Sequence, residues 1–341
     1  MIMNRRTFLP ALAALGVSPF LSGFSLEEIR SIPKILLPQA LKKGDLIAVT
    51  SPAGAMRDLS GVDEFKSILE GFGFRVRIGE TCRSKFGYLA GSDQLRRTEL
   101  ESFFSDDEVN AIVCMKGGYG CSRIIDTLDY ELIRKRPKIF MGFSDITALI
   151  NAIHLKTGLV TFHGPVGNSS WNDYSFAHIA EVLMAGKKHR YFPGPESADK
   201  PVTYASGTAQ GVLYGGNLSV LCGLIGTPYF PDLHGALLFL EEVKEEPFRI
   251  DRMLAQLRLA GVFDQVNGII IGKFRDCIAE EQDFAFTVDE IFKQYFSKLN
   301  KPVYAGAMIG HIRNKYTMPV GVKASMNADK GTIELLESAV V

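Results

Sequence analysis

Short, wholly apolar runs alternate along the first half of the chain with segments whose apolar residues recur every three or four positions. The apolar runs are typical of buried parallel strands, and the spaced segments are typical of amphipathic helices. Strands are predicted at residues 46–50, 74–79, 111–115, 139–141 and 160–165, with helices between them. Strands that alternate with helices in this way predict a doubly wound parallel sheet.

The second half of the chain predicts a smaller unit that is richer in strands. Further strands are predicted at residues 211–214, 236–240, 268–272 and 302–306, and two final antiparallel strands at 319–323 and 331–336. We therefore expect an α/β protein with a doubly wound, parallel-sheet N-terminal domain and a smaller, β-rich α/β C-terminal domain. The predicted boundaries are residues 34–166 for the first domain, 167–206 for a polar connector containing one helix, and 207–341 for the second domain.

The first 33 residues are interpreted as a leader. Arg5 and Arg6 form a twin-arginine pair, followed by a modest apolar run from Pro10 to Leu21 with no acidic residue before Glu27. This pattern predicts a twin-arginine signal and an exported, periplasmic protein. The short, interrupted run suits a cleaved signal better than a stable membrane anchor. The alternative is an ordinary amphipathic helix, in which case the protein would be cytoplasmic.

Composition and spacing exclude several classes of function. The chain has 38 basic and 38 acidic side chains, whereas a non-specific nucleic-acid binder needs a basic surface. Its five cysteines show no C-x-x-C spacing, and no residues have the spacing of metal ligands, so no metal or other cofactor is expected. The glycines of the 117–120 loop also lack the order of a dinucleotide-binding fingerprint.

Ser144 lies where the predicted fourth strand turns into a helix. Gly142 and Ser144 match the first half of the G-x-S-x-G nucleophile elbow, but the second glycine is missing. Alternatively, Ser144 and Asp145 could be a helix cap and a first-turn acid. A nucleophile here would suggest an oxyanion hole made by the backbone N–H groups of Gly118 and Asp145. A plain tight turn is the other interpretation of the glycine loop.

A nucleophilic serine needs a base, and the base needs an acid to orient it. Among the six histidines, His311 stands out because it follows Gly310 at the end of a predicted strand and precedes a turn-like segment. Glu241 and Glu242 end an apolar strand. Because side chains alternate along a strand, only one of the pair can face a cleft, and the spacing does not say which.

Several separate motifs in this order resemble the LD-carboxypeptidase family. The motifs are KGGYG at 116–120, GFSDIT at 142–147, GGNL at 215–218, LEE at 240–242, PFRIDRML at 247–254 and GH at 310–311. The resemblance extends over nearly the whole chain, from about Pro38 to Leu336.

This resemblance implies Ser144 as nucleophile, His311 as general base and Glu241 as the orienting acid, with the N–H groups of Gly118 and Asp145 as the oxyanion hole. It implies a serine carboxypeptidase that hydrolyses the amide between an L-centre, typically of meso-diaminopimelate, and the terminal D-Ala of murein tetrapeptides through an acyl-enzyme. The implied partners are a murein peptide substrate and, often, a second copy of the chain in a homodimer. The site would lie between the two domains.

Recognition of the terminal carboxylate needs a cation or backbone donors, and Arg123, Arg249 and Arg313 are the candidates. The first alternative function is an amide hydrolase of the same fold that acts on another peptide conjugate, such as a peptide–nucleotide antibiotic. Weaker alternatives are a non-catalytic periplasmic binding protein and a cysteine amidase that uses Cys121 or Cys114.

Overall fold

A six-stranded sheet is built mainly from the first half of the chain. The structure, a computed structural model, describes residues 34–196 and 199–341. The strands of this sheet are β1 (Leu46–Thr50), β2 (Arg75–Ile78), β3 (Val109–Cys114), β4 (Ile139–Gly142), β5 (Thr161–His163) and, from near the end of the chain, β12 (Met318–Val320). They lie in the order β12-β5-β4-β3-β1-β2. All pairings are parallel except that of β12 with β5.

Four helices connect these strands: α1 (Ser60–Gly71), α2 (Asp93–Ser105), α3 (Tyr130–Lys135) and α4 (Thr147–Thr157). The start of α2 is capped by the Ser92 side chain, which accepts a hydrogen bond from the Leu95 N–H. α4 is buried on nearly every side and ends at Gly158 in a left-handed conformation, a common helix stop. A helix that is apolar all round belongs in the interior, so α4 forms the centre of the molecule behind Ser144.

The second sheet has eight strands and mixed direction. Its further strands are β6 (Arg190–Tyr191), β7 (Val202–Ala205), β8 (Thr208–Asn217), β9 (Leu237–Val243), β10 (Gly268–Arg275), β11 (Val303–Ala305), β13 (Lys323–Asn327) and β14 (Thr332–Leu335). They lie in the order β6-β14-β13-β8-β9-β10-β11-β7. The four strands from β8 to β11 are parallel, and the outer strands pair antiparallel. The other helices are α5 (Asp173–Ile179), α6 (Leu218–Leu224), α7 (Pro247–Leu259), α8 (Val262–Gln265) and α9 (Val288–Phe296).

Side chains of β9 alternate between two hydrophobic cores. Phe239 packs in the core that includes the first sheet, whereas Leu238 and Leu240 pack in the core formed with α6, α7 and α9. This is the period of two expected for a strand covered on both faces. The same alternation carries Glu241 to the side of Phe239 and Glu242 to the opposite side.

The first sheet has a topological switch between β1 and β3. The chain leaves β1 for β2 on one side and then crosses to β3 on the other. The loops that follow β1 and β3 meet at the carboxyl edge of the sheet, where the Gly54 N–H donates to the Gly117 carbonyl at 3.0 Å. In open α/β sheets, ligands bind in the crevice at such a point.

The predicted α/β class is confirmed, and so are the parallel strands of the first sheet. The stretch 167–206 was expected to hold one helix, but besides α5 it supplies β6 and β7, the two edge strands of the second sheet. Short, half-exposed edge strands carry little apolar pattern, which is why these were missed. The domain boundaries stay a prediction.

The predicted leader lies outside the described residues. Among the helices that the structure describes, none combines the length and the apolar character needed to cross a membrane.

Candidate active site

Ser144 lies in the connection between β4 and α4 and has a left-handed backbone conformation. Its φ is 65°, a conformation that costs a non-glycine residue on the order of 1–3 kcal/mol. Gly142 permits the corner, because a Cβ at that position would lie 2.8 Å from the Ile146 side chain. Neither the short turn at Ser144–Ile146 nor α4 has a side-chain cap. The interpretation of Ser144 as a helix cap is therefore wrong, and its side chain remains partly exposed.

The glycine loop after β3 packs directly against Ser144. A Cβ on Gly117 would lie 3.0 Å from Ser144 Oγ, so only glycine fits at this point. The Gly117 carbonyl is turned toward Gly54, from which it accepts a hydrogen bond. In a trans peptide the C=O and the following N–H point in opposite directions, and the described chain has no cis peptide. The Gly118 N–H therefore points away from Gly54.

Buried donors and acceptors hold the rest of this loop. The fully buried Arg96 guanidinium donates to the carbonyls of Pro52 and Gly120. On the other side, the Cys121 N–H donates to Asp145 Oδ2 at 2.8 Å. Burial raises the pKa of Asp145, although the hydrogen bonds from Cys121 oppose that shift. The Asp145 side chain thus ties the loop to the corner that carries Ser144.

A direct hydrogen bond joins His311, which lies in the loop after β11, to Glu241, which lies near the end of β9. His311 Nδ1 lies 2.7 Å from Glu241 Oε2, and the glutamate side chain is fully buried. Gly310 allows this approach: its φ is 125°, and a Cβ would lie 2.9 Å from the same carboxylate oxygen. Arg275 donates to the His311 carbonyl at 3.0 Å and so fixes the backbone of this loop.

Glu242 faces away from His311. Its carboxylate accepts hydrogen bonds from Asn217 Nδ2 at 2.8 Å and from the Ser219 N–H at 2.9 Å. A carboxylate near the first turn of α6 is favoured by the unpaired N–H groups there. The structure thus separates the two acids that the sequence left equivalent: Glu241 contacts the histidine, and Glu242 supports a helix.

Phe143 brings the two halves of the site together. It directly precedes Ser144, and its ring centroid lies 4.7 Å from that of His311. The Lys315 ammonium lies 4.2 Å above the same ring, and its amine also donates to Ser169 Oγ. Burial lowers the pKa of Lys315 to about 8. The nucleophile candidate and the base candidate therefore share one aromatic neighbour.

His163 belongs to this group and was missed as a site residue from the sequence. Its Nε2 lies 4.0 Å from Glu241 Oε1, and both atoms are buried without a hydrogen-bond partner among the described residues. Burial favours the neutral form of Glu241, but His163 and His311 outweigh it and lower the pKa of this carboxyl to about 2. The available signal was its place at the carboxyl end of β5, because the carboxyl ends of parallel strands meet at one edge.

The three predicted substrate-binding arginines lie among surface contacts. Arg123 pairs with Asp93 at 2.7 Å, and Arg249 lies 3.9 Å from Glu245. Arg313 contributes its carbonyl, which accepts from the Asn172 side chain at 3.4 Å. Their role toward a substrate stays a prediction.

The cysteine alternative gains no support from the described residues. Cys114 and Cys121 are fully buried, and burial raises the pKa of both thiols well above its ordinary value. A thiol needs a lowered pKa to act as a nucleophile near neutral pH. Within residues 34–196 and 199–341, no group of three or more metal-binding side chains is placed to hold an ion.

Comparison with known proteins agrees with the motifs. Two family models match, the LD-carboxypeptidase N-terminal domain over residues 47–164 and the LD-carboxypeptidase C-terminal domain over residues 210–326. The chain is 38% identical to a probable murein peptide carboxypeptidase of Bacillus subtilis (strain 168), over 86% of this chain and 92% of that protein. It is 28% identical to the microcin self-immunity protein MccF of Escherichia coli, over 91% of this chain and 97% of that protein.

A solved structure has the same fold. The crystal structure of a muramoyltetrapeptide carboxypeptidase from Oxalobacter formigenes is 27% identical, with a TM-score of 0.74, over 85% of this chain and 97% of that chain. The N-terminal family model spans Ser144, and the C-terminal family model spans Glu241 and His311. The chain therefore belongs to the LD-carboxypeptidase family.

Proposed function

We propose that the protein is a serine LD-carboxypeptidase in which Ser144 is the nucleophile, His311 the general base and Glu241 the acid that orients the base. The observation that carries this proposal is the 2.7 Å hydrogen bond from His311 Nδ1 to the buried Glu241 carboxylate. The contact of His311 with Phe143, next to Ser144, supports the same assignment. The left-handed backbone of Ser144 is typical of a strained nucleophile corner.

The hydrogen bond sets the protonation of the base. Because Nδ1 donates its proton to Glu241, Nε2 is left as the acceptor that takes the proton from Ser144 Oγ. The serine oxygen then attacks the carbonyl carbon of the scissile amide. In this mechanism the N–H groups of Gly118 and Asp145 stabilise the negative charge that develops on the carbonyl oxygen.

The attack gives a tetrahedral intermediate. Its collapse breaks the C–N bond and leaves an acyl-enzyme on Ser144. His311 gives its proton to the departing amine, so the leaving group departs as a neutral D-amino acid amine. A water molecule then loses a proton to His311 and attacks the ester carbon; the bond between that carbon and Ser144 Oγ breaks, His311 returns the proton to Oγ, and the acid is released. Glu241 remains ionised throughout, in keeping with its lowered pKa.

The proposed substrate is a murein tetrapeptide, cleaved between the L-centre of meso-diaminopimelate and the terminal D-Ala. Similarity to a probable murein peptide carboxypeptidase and to a muramoyltetrapeptide carboxypeptidase supports this choice. Similarity to the self-immunity protein MccF supports a second candidate, an amide hydrolase of peptide–nucleotide conjugates. The shared fold and site geometry suit either amide.

Release of D-Ala from purified murein tetrapeptide tests the proposal. We expect hydrolysis by the wild-type protein, a loss of about 10⁴-fold or more in kcat for Ser144→Ala and His311→Ala, and a loss of about 10²–10⁴-fold for Glu241→Gln. Glu242→Gln is the matched control, because it alters the neighbouring acid that faces the other core, and it should lose less than tenfold.

Other outcomes would redirect the assignment. Cleavage of an aminoacyl-sulfamoyl nucleotide without cleavage of the tetrapeptide would favour the second candidate. Equal losses for Glu241→Gln and Glu242→Gln would contradict the role of Glu241. Ligand binding without any hydrolysis would favour a binding protein.

Export and dimer formation are further parts of this proposal. The twin-arginine pair supports a periplasmic location, and replacement of both Arg5 and Arg6 by lysine should retain the protein in the cytoplasm on cell fractionation.

The homodimer is supported by the family resemblance alone. Light scattering after size-exclusion chromatography would measure the mass of the protein in solution.

A further inference from the structure

A cavity of about 710 Å³ opens at the switch point of the first sheet. Its walls come from the loop after β1, from the segment 83–88 and from the loop after β3. Gly118, the proposed oxyanion-hole residue, lies in its wall beside Lys116 and Tyr119. A ligand in this cavity would therefore adjoin the carbonyl that Ser144 is proposed to attack.

The charged side chains that line the cavity are all cationic. They are Arg57, Arg83, Lys85 and Lys116, and the lining contains no aspartate or glutamate. Arg83 is neutralised from outside the cavity by Asp63, at 2.5 Å. The remaining cations face a shared space without a carboxylate in its walls.

Holding these cations close together has an energetic cost, and Lys116 illustrates it. Its ammonium donates to the Ala55 carbonyl at 2.8 Å, which fixes it at the edge of the cavity. Burial and, secondarily, the charge of Arg57 lower the pKa of Lys116. Like charges held close together repel, and an anion between them would remove the repulsion and restore favourable pairing.

The cavity also has aromatic walls and room for more than one residue. Tyr88 and Tyr119 are largely exposed, at 67% and 73% of their surface, and their rings meet edge to face at 6.1 Å. Volumes of about 300–1,000 Å³ accommodate drug-sized ligands, which is far more than a single alanine requires. The size fits several residues of a peptide and not only the leaving D-Ala.

We propose that this cavity binds the acyl-donor part of an anionic peptide, with its free carboxylate paired to Arg57, Lys85 and Lys116. This inference rests on the proposed function, because it places the scissile carbonyl beside Gly118. It adds a substrate requirement: a free α-carboxylate on the residue that precedes the L-centre residue on the acyl side, which is D-Glu in the murein tetrapeptide. Tyr88 and Tyr119 would cover the apolar parts of the same peptide.

The test compares two tetrapeptides that differ only in this group. One is L-Ala-γ-D-Glu-meso-diaminopimelyl-D-Ala, and the other carries a carboxamide in place of the free α-carboxylate of D-Glu. The double variant Arg57→Gln with Lys85→Gln removes two of the cavity's cations and leaves the Lys116 contact with the backbone. The matched control, Arg134→Gln with Lys135→Gln, removes two exposed charges from α3, outside the cavity lining.

For the acidic peptide we expect the cavity variant to raise KM about tenfold, equivalent to about 1.4 kcal/mol, with kcat within about twofold. For the carboxamide peptide the same variant should change KM less than twofold, and the control should leave both peptides unchanged. Equal effects on the two peptides, or equal effects of cavity and control variants, would overturn the inference.

Binding to the inactive Ser144→Ala protein, measured by calorimetry, separates this inference from the proposed reaction. Preference for the acidic peptide that the cavity variant abolishes would support the site even if wild-type protein hydrolysed neither peptide. Hydrolysis of both peptides without a charge preference would uphold the reaction and overturn the site. Displacement of the acidic peptide by millimolar inorganic phosphate, but not by acetate at equal ionic strength, would assign the cations to phosphate and overturn the carboxylate proposal.

Discussion

The Nε2 atom of His163 lies 4.0 Å from Oε1 of Glu241, while the other oxygen of this carboxylate bonds to His311. The glutamate thus has a histidine on each oxygen, and neither histidine is close to it in the sequence. A buried carboxylate without such neighbours would tend to bind a proton. His163 therefore helps to keep Glu241 in the ionised form that the proposed mechanism requires.

Replacement of His163 tests this relationship. We expect His163→Leu to lower kcat about tenfold or more and to move the acidic limb of the pH–rate profile to higher pH, because loss of the imidazole raises the pKa of Glu241. His163→Gln keeps a donor near Oε1 and should retain more activity. The measurement is kcat between pH 4 and 8 for both variants, and identical profiles for leucine and glutamine would contradict the role.

Replacement of Gly117 should impair the reaction through its contact with Ser144. An alanine Cβ would lie 2.7 Å from Ser144 Cβ and 3.0 Å from Oγ, so Gly117→Ala must push the side chain of Ser144, the proposed nucleophile, aside. We expect kcat to fall about 100-fold, since displacements of about 1 Å cost that much. Gly223→Ala is the control: a Cβ there meets nothing within 4 Å, and alanine should stabilise α6 by up to about 1 kcal/mol.

Steady-state kinetics would measure kcat, and urea unfolding would measure stability, for both glycine variants. Activity of Gly117→Ala close to that of the wild type would show that the loop can move away from Ser144 at no cost.

Ser144→Gly should increase stability while abolishing activity. Glycine adopts a φ of 65° without the penalty that serine has there. We expect the free energy of unfolding to rise by about 1 kcal/mol relative to Ser144→Ala, which keeps the strained backbone. Urea unfolding of the two inactive variants measures this difference, and equal midpoints would indicate that the corner is not strained.

The buried Lys315 side chain should lower the free energy of unfolding by an amount that depends on pH. Its pKa is lowered to about 8 in the folded protein from an ordinary value of 10.5. Between these values the unfolded chain binds more protons than the folded one, so this residue's contribution to stability rises with pH. Below pH 8 the buried ammonium is a cost.

Lys315→Met removes that cost. We expect the variant to be more stable than the wild type by about 2 kcal/mol at pH 7, and the advantage should shrink as pH rises from 8 to 10. Urea unfolding of both proteins at pH 7, 8.5 and 10 provides the comparison. An advantage that stayed constant over this range would contradict the shifted pKa.

Much of the architecture was predicted from local pattern. The apolar runs of β1, β3 and β4 are buried on both faces and read as strands without knowledge of their neighbours. The short strands β6 and β7 were missed, because an exposed edge strand has little pattern of its own. Their place in the sheet depends on pairing with residues far along the chain.

The candidate site, like the fold, could be predicted from the sequence only in part. The sequence by itself determined the family and the α/β class, because these depend on local motifs and on period, and the family resemblance pointed to Ser144, Glu241 and His311 as candidates. Only the tertiary structure decided that Glu241, and not Glu242, bonds to His311, since the direction of each side chain is set by the two cores on either side of β9. Only tertiary structure, too, placed His163 beside Glu241 and gathered the cations around Gly118, because such contacts join side chains that are distant in sequence.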